Sequence, residues 1–199
     1  MKQGLMASMI VFFLSGCVSV RPPVEVQLGN YEPFVIRSKV LADMTHWHIS
    51  GAAAILQARN SQSANYEWQQ SGDKYQIQLA GALNFGSTTI EGGPGFIHVS
   101  QANGQHWQGK SPNAVIAKNL GWQLPVEQLV YWVRGIPAPA SYLNFKTDSE
   151  GHLESLNQWG WEITWSGYTR VKGVDLPGWI VLQRSGFKIK LLIRQWTLP

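Results

Sequence analysis

The residues best suited to chemistry in this chain are few and scattered. There are five histidines. His46 and His48 are two positions apart, so on a strand they share a face, as two ligands of a transition metal would. No Asp, Glu, Cys or further His stands at supporting spacing, and the plainer reading is a pair of outward polar strand residues. His98, His106 and His152 are isolated beside turn signals and need no special role. The members of a Ser/His/Asp triad converge only in space, but no Gly-x-Ser-x-Gly elbow is present. The 12 acidic residues fall largely at turns or outward strand positions, which is poor material for a paired-carboxylate hydrolase. Gly92-Gly93-Pro94-Gly95 leads into an extended run and not a helix, so it does not read as a phosphate cradle. No metal, cofactor or catalytic residue is expected.

Cys17 has a more definite chemical fate. It is the only cysteine in the chain. Lys2 supplies a short positive start, Leu5 to Leu14 is mostly apolar, and Leu14-Ser15-Gly16-Cys17 follows at once. That stretch is too short to span a bilayer as a durable anchor. Small residues before a cysteine resemble a bacterial lipobox, in which the thiol is diacylated, the chain is cut before it and the new N-terminus is acylated. The competing reading is a buried free thiol, since a lone cysteine in an oxidising compartment has no disulfide partner. An Asp after the cysteine would resemble an inner-membrane retention signal; Val18 stands there, so the expected destination is the outer membrane, facing the periplasm. Residues 1–16 thus read as a signal peptide, 17–30 as the lipidated cysteine and a tether containing Arg21-Pro22-Pro23, and 31–199 as the folded domain.

The elements around these residues are mainly strands. At 199 residues the chain suits one domain. A net charge of +4, with basic residues scattered apart from Lys188, Lys190 and Arg194, is weak support for attraction to an anionic surface and none for nucleic-acid binding. The 10 Trp sit mostly in alternating runs and read as core or cavity wall. Apolar residues near helical spacing predict a helix over 31–44. Trp47, Ile49, Gly51, Ala53 and Ile55 alternate with polar or small residues as a first long strand, and the small residues at 51–54 would allow something to pack closely. Hairpin signals and short strands continue to His106-Trp107-Gln108. Ser111-Pro112 then opens a helix closed by Gly121, and Pro125 to Arg134 forms a second, with Val126, Leu129, Val130 and Val133 on one face. Strands resume over 142–147, 152–158, 161–165, around Ile180 and Leu182, and from Phe187 onward. Ten or eleven strands interrupted by helices favour a mainly β, α+β domain: one curved antiparallel sheet whose apolar concave face is covered by about three short helices.

One connection is unusual for its place. Between strands at 74–79 and 87–91 lies Ala80-Gly81-Ala82-Leu83-Asn84-Phe85-Gly86, where a Gly- and Asn-bearing turn carries Leu83 and Phe85 at its tip. Both side chains can fold back into the core, or the tip can touch a membrane or an apolar ligand.

Three features taken in order carry a resemblance. They are the lipobox Leu14 to Cys17; Trp47 to Gly51 followed by Trp68-Gln69-Gln70 and the turn Leu83 to Gly86 with Ser87-Thr88; and Leu124-Pro125-Val126 running through Leu129 to Trp132-Val133-Arg134-Gly135. With Gly160-Trp161 and Ile189-Lys190-Leu191 to Trp196, the chain resembles the LolB family, outer-membrane lipoproteins that receive other lipoproteins from a periplasmic carrier. The resemblance implies a half-closed antiparallel barrel of about eleven strands, with a helical lid over an apolar cavity for acyl chains. It implies no catalysis and no cofactor. The implied partners are a LolA-like carrier, the acyl chains of cargo lipoproteins and the inner leaflet of the outer membrane, with the chain itself a monomer. In the family an apolar residue on the protruding turn is associated with delivery into the membrane. Its match is Phe85, preceded by Asn84 where Pro followed by Leu is the expected pattern, and Leu83 can share the role. The cavity is expected to be lined by Trp47, Ile49, Tyr66, Trp68, Tyr75, Ile77, Leu79, Leu129, Trp132, Val133, Trp161, Ile163, Trp165, Leu191 and Ile193, each of which could equally be plain core. A different class stays open: an aromatic-rich lipoprotein that stacks glycan or cell-wall material on exposed Trp.

Overall fold

Residues that alternate in polarity with a period of two can bury one face only by lying side by side, and most of this chain does so. The computed structural model describes residues 32–57, 60–81 and 86–199. Helix α1 (Glu32–Ala42) leads into a meander of β1 (His46–Gln57), β2 (Asn60–Ser71), β3 (Lys74–Ala80), β4 (Thr88–Gly93), β5 (Phe96–Gln101) and β6 (His106–Gly109). Helices α2 (Pro112–Leu120) and α3 (Val126–Trp132) interrupt the strands, which resume as β7 (Leu143–Thr147), β8 (Leu153–Gln158), β9 (Trp161–Ser166), β10 (Thr169–Val171), β11 (Val174–Leu176), β12 (Trp179–Arg184) and β13 (Phe187–Thr197).

Eleven of these strands form one sheet in the order β6-β5-β4-β3-β2-β1-β13-β12-β9-β8-β7. Every pairing in it is antiparallel. The outermost strands β6 and β7 do not pair, so the barrel stays open. β13 joins the halves by pairing along β1, with a register shift between Ser50 and Gly51. A side chain at Gly51 would overlap the Leu192 carbonyl oxygen, so the close approach expected at 51–54 is made by the backbone of β13.

β10 and β11, where no strand is expected from the sequence, form their own two-stranded sheet. Their turn, Lys172-Gly173, shares its conformation with Trp159-Gly160 and Ser185-Gly186: both residues of each pair have positive φ, at 45° and 88°, 54° and 74°, and 42° and 76°. That is the two-residue hairpin turn whose twist matches the flanking strands. Glycine adopts it freely, whereas each non-glycine residue carries a strain on the order of 1 kcal/mol. Gly121 ends α2 with a φ of 70°, as expected, but the Ser111 hydroxyl makes no capping bond. Pro112, at the first helical position, has no N–H to leave unpaired at that end.

Candidate functional site

The concave face takes every second residue of its strands. β1 supplies Trp47 and Ile49, β2 Tyr66 and Trp68, β3 Tyr75, Ile77 and Leu79, β9 Trp161, Ile163 and Trp165, and β13 Leu191 and Ile193; all are buried. Leu129 and Trp132 of α3, and Val133 just beyond it, meet the same cluster from above. Every residue expected to line an apolar chamber therefore faces inward. Trp47 lies 5.3 Å from Trp68 and 5.6 Å from Trp196 between ring centroids, and Trp68 stands edge-on to Tyr75 at 6.4 Å. Ile90, Ile97, Val99, Ile180 and Leu182 extend the face across β4, β5 and β12. The same alternation marks them in the sequence.

The helices are seated on this face, and side chains fill most of the space between. One free volume between helices and sheet, about 360 Å³, opens at the α1 end and is bordered by Met44, Trp47, Gln70, Tyr75, Pro94, Glu127, Val130, Tyr131 and Arg134 among others. A smaller one of about 90 Å³ lies at the opposite rim, beside Ile55, Leu120 and Trp122. Of the residues expected in the chamber, only Trp47 and Tyr75 reach the larger volume, which is at the low end for pockets that hold small ligands, about 300–1,000 Å³. Trp47 Nε1 and Tyr75 Oη find no protein partner there. Burial pushes the Tyr75 and Tyr66 hydroxyls well above the usual tyrosine range, so neither ionises at neutral pH.

Polar bonds hold α3 down, a role not expected of the residues that make them. Arg134 is buried. Its Nη1 donates to the carbonyls of Leu41 at 2.7 Å, Ala42 at 3.2 Å and Met44 at 3.0 Å, and its Nε to Val130 at 3.0 Å. It therefore ties the end of α3 to the end of α1, and the guanidinium also lies 5.1 Å from the Tyr131 ring centre. Burial lowers its pKa to about 10, which leaves it charged at neutral pH. Gln158 of β8 uses both ends of its amide. Oε1 accepts from Trp132 Nε1 at 2.8 Å and Ala138 N at 2.9 Å, and Nε2 donates to the Ala138 carbonyl at 2.7 Å. Trp165 Nε1 donates to the Trp132 carbonyl at 2.7 Å. An Arg closing the helix expected over 125–134 was the one sequence signal for this arrangement; in the structure α3 ends at Trp132 and Arg134 lies just beyond it.

His152 corrects an expectation. It is buried, not an incidental turn residue, with Nδ1 2.8 Å from Asp148 Oδ2 and Nε2 3.3 Å from Asp175 Oδ2. Its ring stacks on Tyr168 at 4.4 Å, and the guanidinium of Arg37 lies 5.2 Å from the centre of that same ring. Glu150, His152 and Asp175 bring ligand atoms within 4.8 Å of one another, but Asp148 engages the histidine and Arg170 lies 3.6 Å from Asp175. The cluster fastens α1 and the β10–β11 hairpin to the β7–β8 turn, and none of its members borders the chamber. His48 faces outward as expected and pairs with Glu67 at 2.7 Å. Cys17, Leu83 and Phe85 lie outside the described residues.

An open, curved antiparallel sheet with helices packed on an apolar concave face is a fold shared with solved structures. A LolA superfamily protein from Nitrosomonas europaea superposes with a TM-score of 0.58 at 9% identity, over 85% of this chain and 93% of its own. A putative outer membrane lipoprotein-sorting protein domain from Vibrio parahaemolyticus gives 0.56 at 8% identity, over 83% and 90%. At such identities the likeness shows a shared fold. Sequence narrows it further: the family described as outer membrane lipoprotein LolB matches residues 45–196. The outer-membrane lipoprotein LolB of Coxiella burnetii (strain RSA 493 / Nine Mile phase I) is 35% identical over 184 residues, 92% of this chain and 87% of that protein. Its counterpart in Pseudomonas fluorescens Pf-5 is 34% identical over 187 residues, 94% and 91%. The chain belongs to the LolB family of outer-membrane lipoproteins.

Proposed function

We propose that the protein, anchored through Cys17 in the outer membrane, accepts lipoproteins from a LolA-like periplasmic carrier, shelters their acyl chains on its concave face and releases them into the inner leaflet. The carrying observation is the continuous apolar face beneath a cover whose polar bonds are one-sided. Those of α3 and Arg134 run to α1, α2, β8 and β9, while the gap beside Val130 and Tyr131 faces β3 and the β4–β5 turn. Acyl chains enter as α3 lifts from that side. Each methylene sheltered from water is worth about 0.8 kcal/mol, so the receptor must match that burial and then surrender it to the bilayer. No covalent bond forms or breaks and no cofactor takes part.

Leu83 and Phe85 deliver the chains at the membrane. The double variant Leu83→Glu/Phe85→Glu is expected to take cargo from the carrier normally and to fail to pass it to liposomes; normal transfer would remove the role of that turn. Stacking of glycans is disfavoured for most of the Trp residues, because Trp47, Trp68, Trp122, Trp132, Trp161, Trp165 and Trp196 are buried; Trp159 and Trp179 are the exposed ones. A shift of Trp emission on adding a lipopeptide, with none on adding peptidoglycan fragments, is the expected result.

A further inference from the structure

The rim opposite α1 carries the connection between β3 and β4 and also the β8–β9 and β12–β13 turns, because neighbouring strands alternate in direction. At the tip of the β8–β9 turn Trp159 is 54% exposed, with a φ of 54°. This kind of turn favours Asn, Asp or Gly at its first position, and a bulky residue there is an outlier. Packing does not account for the indole, which has no ring or cation–π partner among the described residues. Leu143, 70% exposed, borders the same shallow groove as Trp159, Glu162 and Arg184.

The α1 end of the sheet carries charges of both signs, with Asp43, Asp73, Asp148, Glu150 and Asp175 beside Arg37, Lys39, Lys74, Arg134, Arg170 and Lys172. At the opposite rim stand Arg184, which closes β12, and Lys188, paired with Leu56 near the end of β1. Among the described residues Glu162 is the one acid beside them.

We propose that the Trp159 turn is a second membrane contact: Trp159 and Leu143 enter the headgroup boundary of an anionic leaflet while Arg184 meets its phosphates. Amphipathic indole rings favour that boundary, and basic side chains beside it add attraction to anionic lipids. This rests on the reading in which the rim bearing Leu83 and Phe85 faces the bilayer. From β3 to β9 the sheet passes through β2, β1, β13 and β12, five spacings or about 24 Å along the arc. Two contacts so far apart fix the tilt of the rim against the membrane, which a single loop leaves free to pivot.

Full-length lipidated protein in vesicles of phosphatidylethanolamine and phosphatidylglycerol, with bromine on the upper acyl chain, provides the test, since bromine quenches indoles it touches. Trp159→Asn supplies a residue this turn favours, and an unchanged or higher Tm confirms that the variant is folded. Bromine is expected to quench part of the wild-type emission, and that part should fall at least twofold in Trp159→Asn. It should also fall in Arg184→Gln and in vesicles without phosphatidylglycerol. Equal quenching of wild type and Trp159→Asn overturns the proposal, and quenching indifferent to phosphatidylglycerol overturns its anionic-headgroup part. The Leu83→Glu/Phe85→Glu protein separates this from the delivery role. If it fails to deliver while wild type and Trp159→Asn quench alike, delivery by the turn stands and the second contact falls. If it delivers normally while the Trp159 difference persists, the second contact stands and the role of the turn falls.

Discussion

The Arg134 guanidinium is shut away from water, and its donors satisfy the last carbonyls of α1 together with the Val130 carbonyl. Arg134→Ala would strand those acceptors, and we expect a loss on the order of 3 kcal/mol in urea denaturation. Arg134→Lys should recover only part of it, because one ammonium cannot reach Val130 and the α1 carbonyls together. Gly51→Ala is expected to destabilise by at least about 1–3 kcal/mol, since the added methyl must displace the Leu192 carbonyl. Asp148 brings pH dependence. Partial burial pushes its carboxyl up, but hydrogen bonds from the backbone and side chain of His152 and the backbone of Glu150 outweigh this, and the pKa lies below the ordinary 3.8. A carboxylate more acidic when folded than when unfolded contributes fully above its unfolded pKa, and the contribution is lost as pH falls through the folded value. Asp148→Asn should therefore lower stability at neutral pH and flatten the decline below about pH 4, read by denaturation across that range.

At the scale of elements, α3 is a short helix held by Asn113 at its first turn and by Gln158 and Trp165 at its last. Gln158→Leu would leave Trp132 Nε1 and the Ala138 N–H unpaired. We expect about 1–3 kcal/mol lower stability, together with faster lipopeptide uptake followed by Trp emission. Bridging cysteines placed at Val130 and Tyr75, which border the same gap, with a short bifunctional maleimide should have the opposite effect and suppress uptake. The apolar periodicity of α1 shows what residue counting misses. Phe34 and Leu41 are buried as the spacing predicts, yet Val35, Ile36 and Val40 are exposed, because α1 is fastened as much by Arg37, the β7–β8 turn and Arg134 as by its apolar stripe.

For the whole molecule, affinity for cargo should track the apolar length of the acyl chains and little else. Lipopeptides shortened by two methylenes should bind about 1.6 kcal/mol more weakly, roughly 15-fold, as an upper estimate. Affinity that ignored chain length would count against burial on the concave face. The seated helices add a second expectation, that uptake requires movement. The described free volume of about 360 Å³ lies at one end of the face, so binding must displace α3 before the chains can lie along the sheet.

Alternating residues alone were enough to mark the strands and the inward phase of Trp47, Tyr66, Tyr75, Trp161 and Leu191, because a strand's two faces are set by local geometry. The opening helix, the two-helix interruption and the family resemblance were legible for the same reason: they depend on neighbours in sequence. Tertiary structure alone decided which strand closes on β1, since β13 reaches it from the far end of the chain. It also decided that His152 is buried between two aspartates, that Arg134 and Gln158 hold the cover, and that the helices fill the hollow. Those outcomes depend on contacts between residues distant in sequence, and such contacts leave no periodic trace in the chain.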